Sequence, residues 1–128
     1  MQIIDTHVHC GSIGTFDLKL KDVLRLMQNN CVDIAVISGI DNAEFYDEHF
    51  ERHSLDANTK LLEKIRGYDN LYMQYWIRPK FENMTEEIAS FILNNRDKIC
   101  GLKIHPFTSS MCINDNRRNR VELHTMFS

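Results

Sequence analysis

The chain has 128 residues, enough for one domain with a real core, and 43% of them are apolar, as in an ordinary globular protein rather than a disordered one. Its net charge is −3 with Lys and Arg scattered, which leaves no electrostatic footprint for nucleic acid. No apolar run approaches the roughly 18 residues of a membrane span, and the N-terminus lacks the basic and apolar regions of a secretory leader, so a reduced, cytoplasmic protein without membrane contact is expected.

Met1-Gln2-Ile3-Ile4 opens apolar and runs into Asp5-Thr6-His7-Val8-His9-Cys10-Gly11, a first strand that ends in a Gly-containing loop. Strict alternation puts Asp5, His7 and His9 on one face and Thr6, Val8 and Cys10 on the other. Two neutral imidazoles on one strand face can hold a borderline metal such as zinc if other elements bring further ligands. The same spacing also suits two histidines that only hydrogen-bond at a strand end. Cys10, Cys31, Cys100 and Cys112 are too widely separated for a Cys-x-x-Cys metal or redox motif.

Gly11 to Thr15 reads as a flexible loop, and Asp17 as the cap of a helix whose apolar stripe is Leu20, Val23, Leu24 and Met27, closed by Asn29 and Asn30. Val32 to Ile37 is apolar almost throughout, as a parallel strand buried on both faces requires. The connection from Ser38 to Arg52 is long and polar. Its His49, with His53 just beyond, has the i, i+4 spacing of a metal pair on a helical turn, but a solvated lid or loop accounts for the stretch as well. Ser54 then caps a helix with Ala57, Leu61, Leu62 and Ile65 buried and Gly67 as its stop. Asn70 to Ile77 is rich in strand formers and ends at Arg78-Pro79. Asn83 with Glu86 resembles a capping box for a helix that buries Ile88, Phe91 and Ile92. Cys100 to Ile104 is the next strand, with Lys103 and His105 on one face and Leu102 and Ile104 on the other. Strands and helices alternate throughout, the pattern of parallel βαβ units.

Two of these stretches carry a resemblance. Asp5-Thr6-His7-Val8-His9 near the N-terminus is similar to the opening of the amidohydrolase superfamily, metal-dependent hydrolases on a (β/α)8 barrel. Gly101-Leu102-Lys103-Ile104-His105-Pro106 resembles the fourth barrel strand of the amidohydrolase-related branch, also called amidohydrolase 2. Asn58 early in the second helix and Pro79 after the third strand resemble that branch too. The resemblance implies an α/β fold, the parallel (βα)4 half of a TIM barrel, with residues 1–128 as one partial domain and 107–128 as an atypical tail.

It also implies His7 and His9 as metal ligands, Lys103 and His105 as catalytic residues, and a divalent metal, zinc first, as cofactor. The implied activity is hydrolysis of a C–N or C–O bond in a small-molecule substrate. Lys103 is then a carbamate-forming bridging ligand, a cation near the substrate, or a lysine paired with Asp5, and Asp5 stands behind the histidines. A whole barrel of this kind needs about 250 residues. Three readings therefore remain at this level: a truncated hydrolase inactive alone, a half-barrel completed by a second copy or by a C-terminal half, and a non-catalytic protein that binds metal or a partner. His124-Thr125 is similar in part to the family's fifth-strand motif, but it follows Pro106 too closely for a full helix and its loops. The TatD-like nuclease branch also opens on a His-x-His strand, and Gly101 to Pro106 fits it poorly.

Overall fold

The computed structural model describes residues 1–13, 15–40, 54–77 and 85–104, and all structural statements below refer to these. In chain order they form β1 (Ile4–Ile13), β2 (Phe16–Leu18), α1 (Leu20–Asn29), β3 (Ile34–Gly39), α2 (Ser54–Ile65), β4 (Leu71–Trp76), α3 (Glu86–Asn94) and β5 (Ile99–Lys103). The strands make one five-stranded sheet in the order β2-β1-β3-β4-β5. β1, β3, β4 and β5 pair in parallel and β2 pairs antiparallel to β1.

This mixed sheet corrects the expected fold class, a purely parallel (βα)4 half of a TIM barrel. The physical reason lies in residues 11–18. Instead of ending in a loop at Gly11, β1 continues to Ile13 and turns back, pairing Gly11 with Leu18, Ser12 with Asp17 and Ile13 with Phe16. Cys10 makes the last pair with β3, opposite Gly39, and Gly11 makes the first with β2. Gly11 has φ 130°, a backbone that a side chain would strain. The strand is thus handed from one neighbour to the next at the residue that can bend for it.

The hairpin also moves the start of α1. Asp17 does not cap the helix: it lies in β2, and the N-cap is Lys19, which makes no side-chain cap bond. The Asp17 carboxylate instead accepts a hydrogen bond from the Ser12 hydroxyl across the hairpin and lies 3.5 Å from the Lys19 ammonium. The Ser12 bond, then Lys19, holds the Asp17 carboxyl below its ordinary range. A depressed carboxylate pKa contributes stability above its unfolded value of about 3.9, and that contribution disappears as pH falls through the folded value. Ser12→Ala should move the Asp17 titration back up, read by NMR of its carboxyl carbon. An unchanged titration would show that Ser12 is not the cause.

At its other end α1 closes as a Schellman motif. The Cys31 N–H donates to the Gln28 carbonyl at 3.4 Å and the Val32 N–H to the Met27 carbonyl at 2.9 Å. Cys31 has φ 55°, the left-handed conformation that glycine adopts without penalty. Cys31→Gly should therefore stabilise the protein by about 0.5–1 kcal/mol, the strain relieved less the added unfolded-state entropy. A urea midpoint that falls at constant slope would contradict this.

The core lies between the sheet and the helices. Ala35 and Ile37 of β3, Leu71, Met73 and Tyr75 of β4, and Ile99 of β5 cluster with Val23 and Met27 of α1, Leu61, Leu62 and Ile65 of α2, and Ile88 of α3. One contiguous cluster draws on all three helices because each parallel strand is added beside its predecessor, and crossovers of one hand then deliver every helix to the same face. The cap of α3 is Thr85, whose hydroxyl accepts from the Ile88 N–H at 3.2 Å; the expected cap, Asn83, lies outside the described residues. None of the described helices is long and apolar enough to cross a membrane.

A buried polar latch joins α2 to β4. Asn58, only 2% exposed, donates through Nδ2 to the Ser54 and Trp76 carbonyls, at 2.7 and 3.0 Å, and accepts from the Trp76 N–H at 3.0 Å. Asn58 thus ties the first turns of the helix to the C-terminal end of the strand.

Candidate metal and anion site

The face away from the helices carries the candidate site, and two strand irregularities put it there. Between β1 and β3 the register shifts after Asp5: Asp5 lies opposite Ala35, but Val8 lies opposite Ile37. Three steps along β1 thus match two along β3, so β1 holds one extra residue. Asp5 and Val8 therefore share the side of Ala35 and Ile37, while His9, opposite Ser38, points the other way. The expected sharing of one face by Asp5, His7 and His9 is corrected here. Asp5 does not stand behind the imidazoles or pair with Lys103. Its carboxylate accepts the His7 backbone N–H at 3.0 Å, a local bond that satisfies a donor beside the bulge.

β5 has the matching irregularity. Met73 lies opposite Ile99 but Gln74 opposite Gly101, so Cys100 is the extra residue, and its thiol donates to the Met73 carbonyl at 3.5 Å. Burial pushes that thiol up from its ordinary range. Unbroken alternation would have sent Lys103 to the same side as Ile99, into the helices. With the bulge, Lys103 lies opposite Trp76 on the second face.

Three basic side chains converge as a result. The His7 and His9 ring centroids are 4.9 Å apart in an edge-on arrangement, and the His9 ring lies 6.2 Å from that of Trp76. The Lys103 Nζ approaches His7 Nε2 at 3.1 Å, joining residues 96 positions apart. β1 and β5 stand three strand steps apart, roughly 14 Å along a sheet, so the contact bridges the two intervening strands, β3 and β4. Beneath them the Ser38 hydroxyl donates to the Gln74 side-chain oxygen at 3.2 Å. Alternation places both of these neutral groups on the same face as the histidines.

His7, His9 and Lys103, all expected at the site, are thus brought together. His105, the fourth expected site residue, lies outside the described residues, as do His49, His53, Arg78, Pro79 and the tail at 107–128. Trp76 was not singled out from the sequence, although an aromatic residue two before Arg78-Pro79 at a strand end was a usable signal. A divalent metal fits the imidazole pair: rings at this spacing can offer nitrogen lone pairs to one ion at about 2.0–2.1 Å. Among the described residues no group of three His, Cys, Asp or Glu side chains gathers to hold a metal, so a third ligand of those types would have to come from outside them.

No protein-family model matches this chain, and neither a curated protein nor a solved structure matches it.

Proposed function

We propose that the chain acts as a metal-dependent hydrolase of the amidohydrolase superfamily, with His7 and His9 holding a divalent metal, zinc first, against a small-molecule substrate with a C–N or C–O bond. What carries the reading is the convergence of His7, His9 and Lys103 from strands at opposite parts of the sheet. The resemblance of Asp5 to His9 and of Gly101 to Pro106 to that superfamily supports the same assignment.

A divalent metal bound there supplies Lewis-acid polarisation of the substrate and activation of water. The chain's own residues prepare the place. The bulge in β1 turns both imidazoles to the second face, and Asp5 holds the backbone of His7. The Trp76 ring lies beside His9, and Lys103 reaches His7 from β5.

The test is metal per chain by elemental analysis of the purified protein beside His7→Ala and His9→Ala, followed by turnover of amide and lactone substrates. Near-stoichiometric zinc in the parent, lost in both variants, with turnover abolished by His7→Ala, is the expected result. Metal content indifferent to both substitutions would overturn the reading. Stoichiometric metal without any turnover would assign the chain a metal-binding role without catalysis.

A further inference from the structure

Lys103 has a partner that lysines seldom choose. Its ammonium nitrogen sits 3.1 Å from His7 Nε2, and among the described residues no carboxylate pairs with it. The neighbouring positions on its face, Ser38, Gln74 and Trp76, are neutral. An ammonium has three donors and no acceptor, so the partner that Nε2 offers to a charged Lys103 is its lone pair.

The accepting lone pair is also the one that Nε2 would give to a metal ion. It cannot serve both. A metal taken by this nitrogen turns Lys103 away and leaves an unpaired cation beside a dication, an arrangement that Coulomb repulsion opposes. An anionic oxygen group near Lys103 removes the opposition, because it is attracted to both charges and gives the ammonium a stronger, charge-assisted partner than an imidazole.

We propose that Lys103 is the docking point for an anionic group of the substrate, a carboxylate or a phosphate, and that it couples binding of that group to metal binding at His7. The inference rests on the metal reading of His7 and His9 and adds to it a substrate class. Because coupling between two ligands is reciprocal, the anion strengthens metal binding by the factor by which the metal strengthens anion binding.

The experiment is calorimetric titration of the metal-free, full-length chain with zinc, in buffer without oxyanions and again with acetate or methyl phosphate, for the parent, Lys103→Met, Lys103→Arg and His7→Ala. Comparing variants in the same solution cancels complexation of zinc by the anion itself. Without anion, Lys103→Met should bind zinc about tenfold more tightly than the parent, the scale of one hydrogen bond to a charged group. Either anion should then raise the zinc affinity of the parent severalfold relative to that of Lys103→Met in the same solution, with the response restored in Lys103→Arg. The anion that gives the larger gain identifies the group as carboxylate or phosphate.

Lys103→Met binding zinc no tighter than the parent, or an anion response of equal size in both, would overturn the proposal. The metal reading would survive that outcome provided His7→Ala had lost zinc. A parent chain that takes up no zinc would overturn both.

Discussion

Asn58→Ala should lower the stability of this protein by about 3–4 kcal/mol, since three hydrogen bonds to buried groups are lost together. Domains of this size are stable by only about 5–15 kcal/mol, so the loss is a large share of the total. Two companion variants separate hydrogen bonding from packing. Asn58→Leu fills the same space without donors or acceptor and should cost nearly as much as alanine. Asn58→Asp keeps an acceptor for the Trp76 N–H but brings a negative charge against two carbonyl oxygens, and should be no better. Urea unfolding followed by tryptophan fluorescence is the natural measurement, because Trp76 is the single tryptophan in the chain and sits at the latch. A leucine variant as stable as the parent would show that shape, not polarity, selects Asn58.

The second large effect belongs to Tyr75, fully buried in the core and bonded through its hydroxyl to Ser54 Oγ at 2.7 Å. Its ring meets that of Phe91 edge-on, with centroids 6.0 Å apart. Tyr75→Ala removes ring and hydroxyl and should cost about 4 kcal/mol, as large-to-small aromatic changes in cores do. Tyr75→Phe keeps the ring and should cost about 1 kcal/mol. The remaining difference is packing. A double-mutant cycle with Ser54→Ala should return a coupling of about 0.5–1.5 kcal/mol for the hydroxyl pair. Additive losses would mean that the two hydroxyls are stabilised by other neighbours and not by each other.

Both predictions fall on the side of the sheet that the chain spells out best. Leu61, Leu62 and Ile65 recur at helical spacing and are buried, and the strand from Leu71 to Trp76 was recognisable from Tyr72, Tyr75 and Trp76 with Ile77 beyond. Helical periodicity survives tertiary packing because each helix chooses its buried stripe from its own residues. The long connection after β3 and the stretch from His105 onward lie outside the described residues.

Three of the four candidate site residues fall among the described residues, and their geometry was only partly legible. His7, His9 and Lys103 were identifiable as residue types at strand ends. That His7 and His9 share a face was legible, but the separation of Asp5 from them and the side taken by Lys103 were not, because counting by twos along a strand assumes an unbroken ladder. One extra residue in β1 and another in β5 reverse the count, and each is visible only when the strand is laid against its neighbour. The hairpin at Gly11 to Leu18 escaped for a related reason. Its Gly14-Thr15 pair is a suitable two-residue turn signal, but the flanking Ser12 and Asp17 are polar and the returning strand is only three residues long.

By itself, then, the amino-acid sequence determined the alternation of strands and helices, the buried stripes of the helices, and which side chains were available for metal or anion chemistry. Those features depend on local spacing and on residue chemistry, both of which are carried along the chain. Only the tertiary structure decided the antiparallel edge of the sheet, the Asn58 latch, the release of Asp5 from the site, and the meeting of Lys103 with His7. Each depends on strand register, which is set by the pairing of segments far apart in sequence, and a shift of one residue sends a side chain to the opposite face.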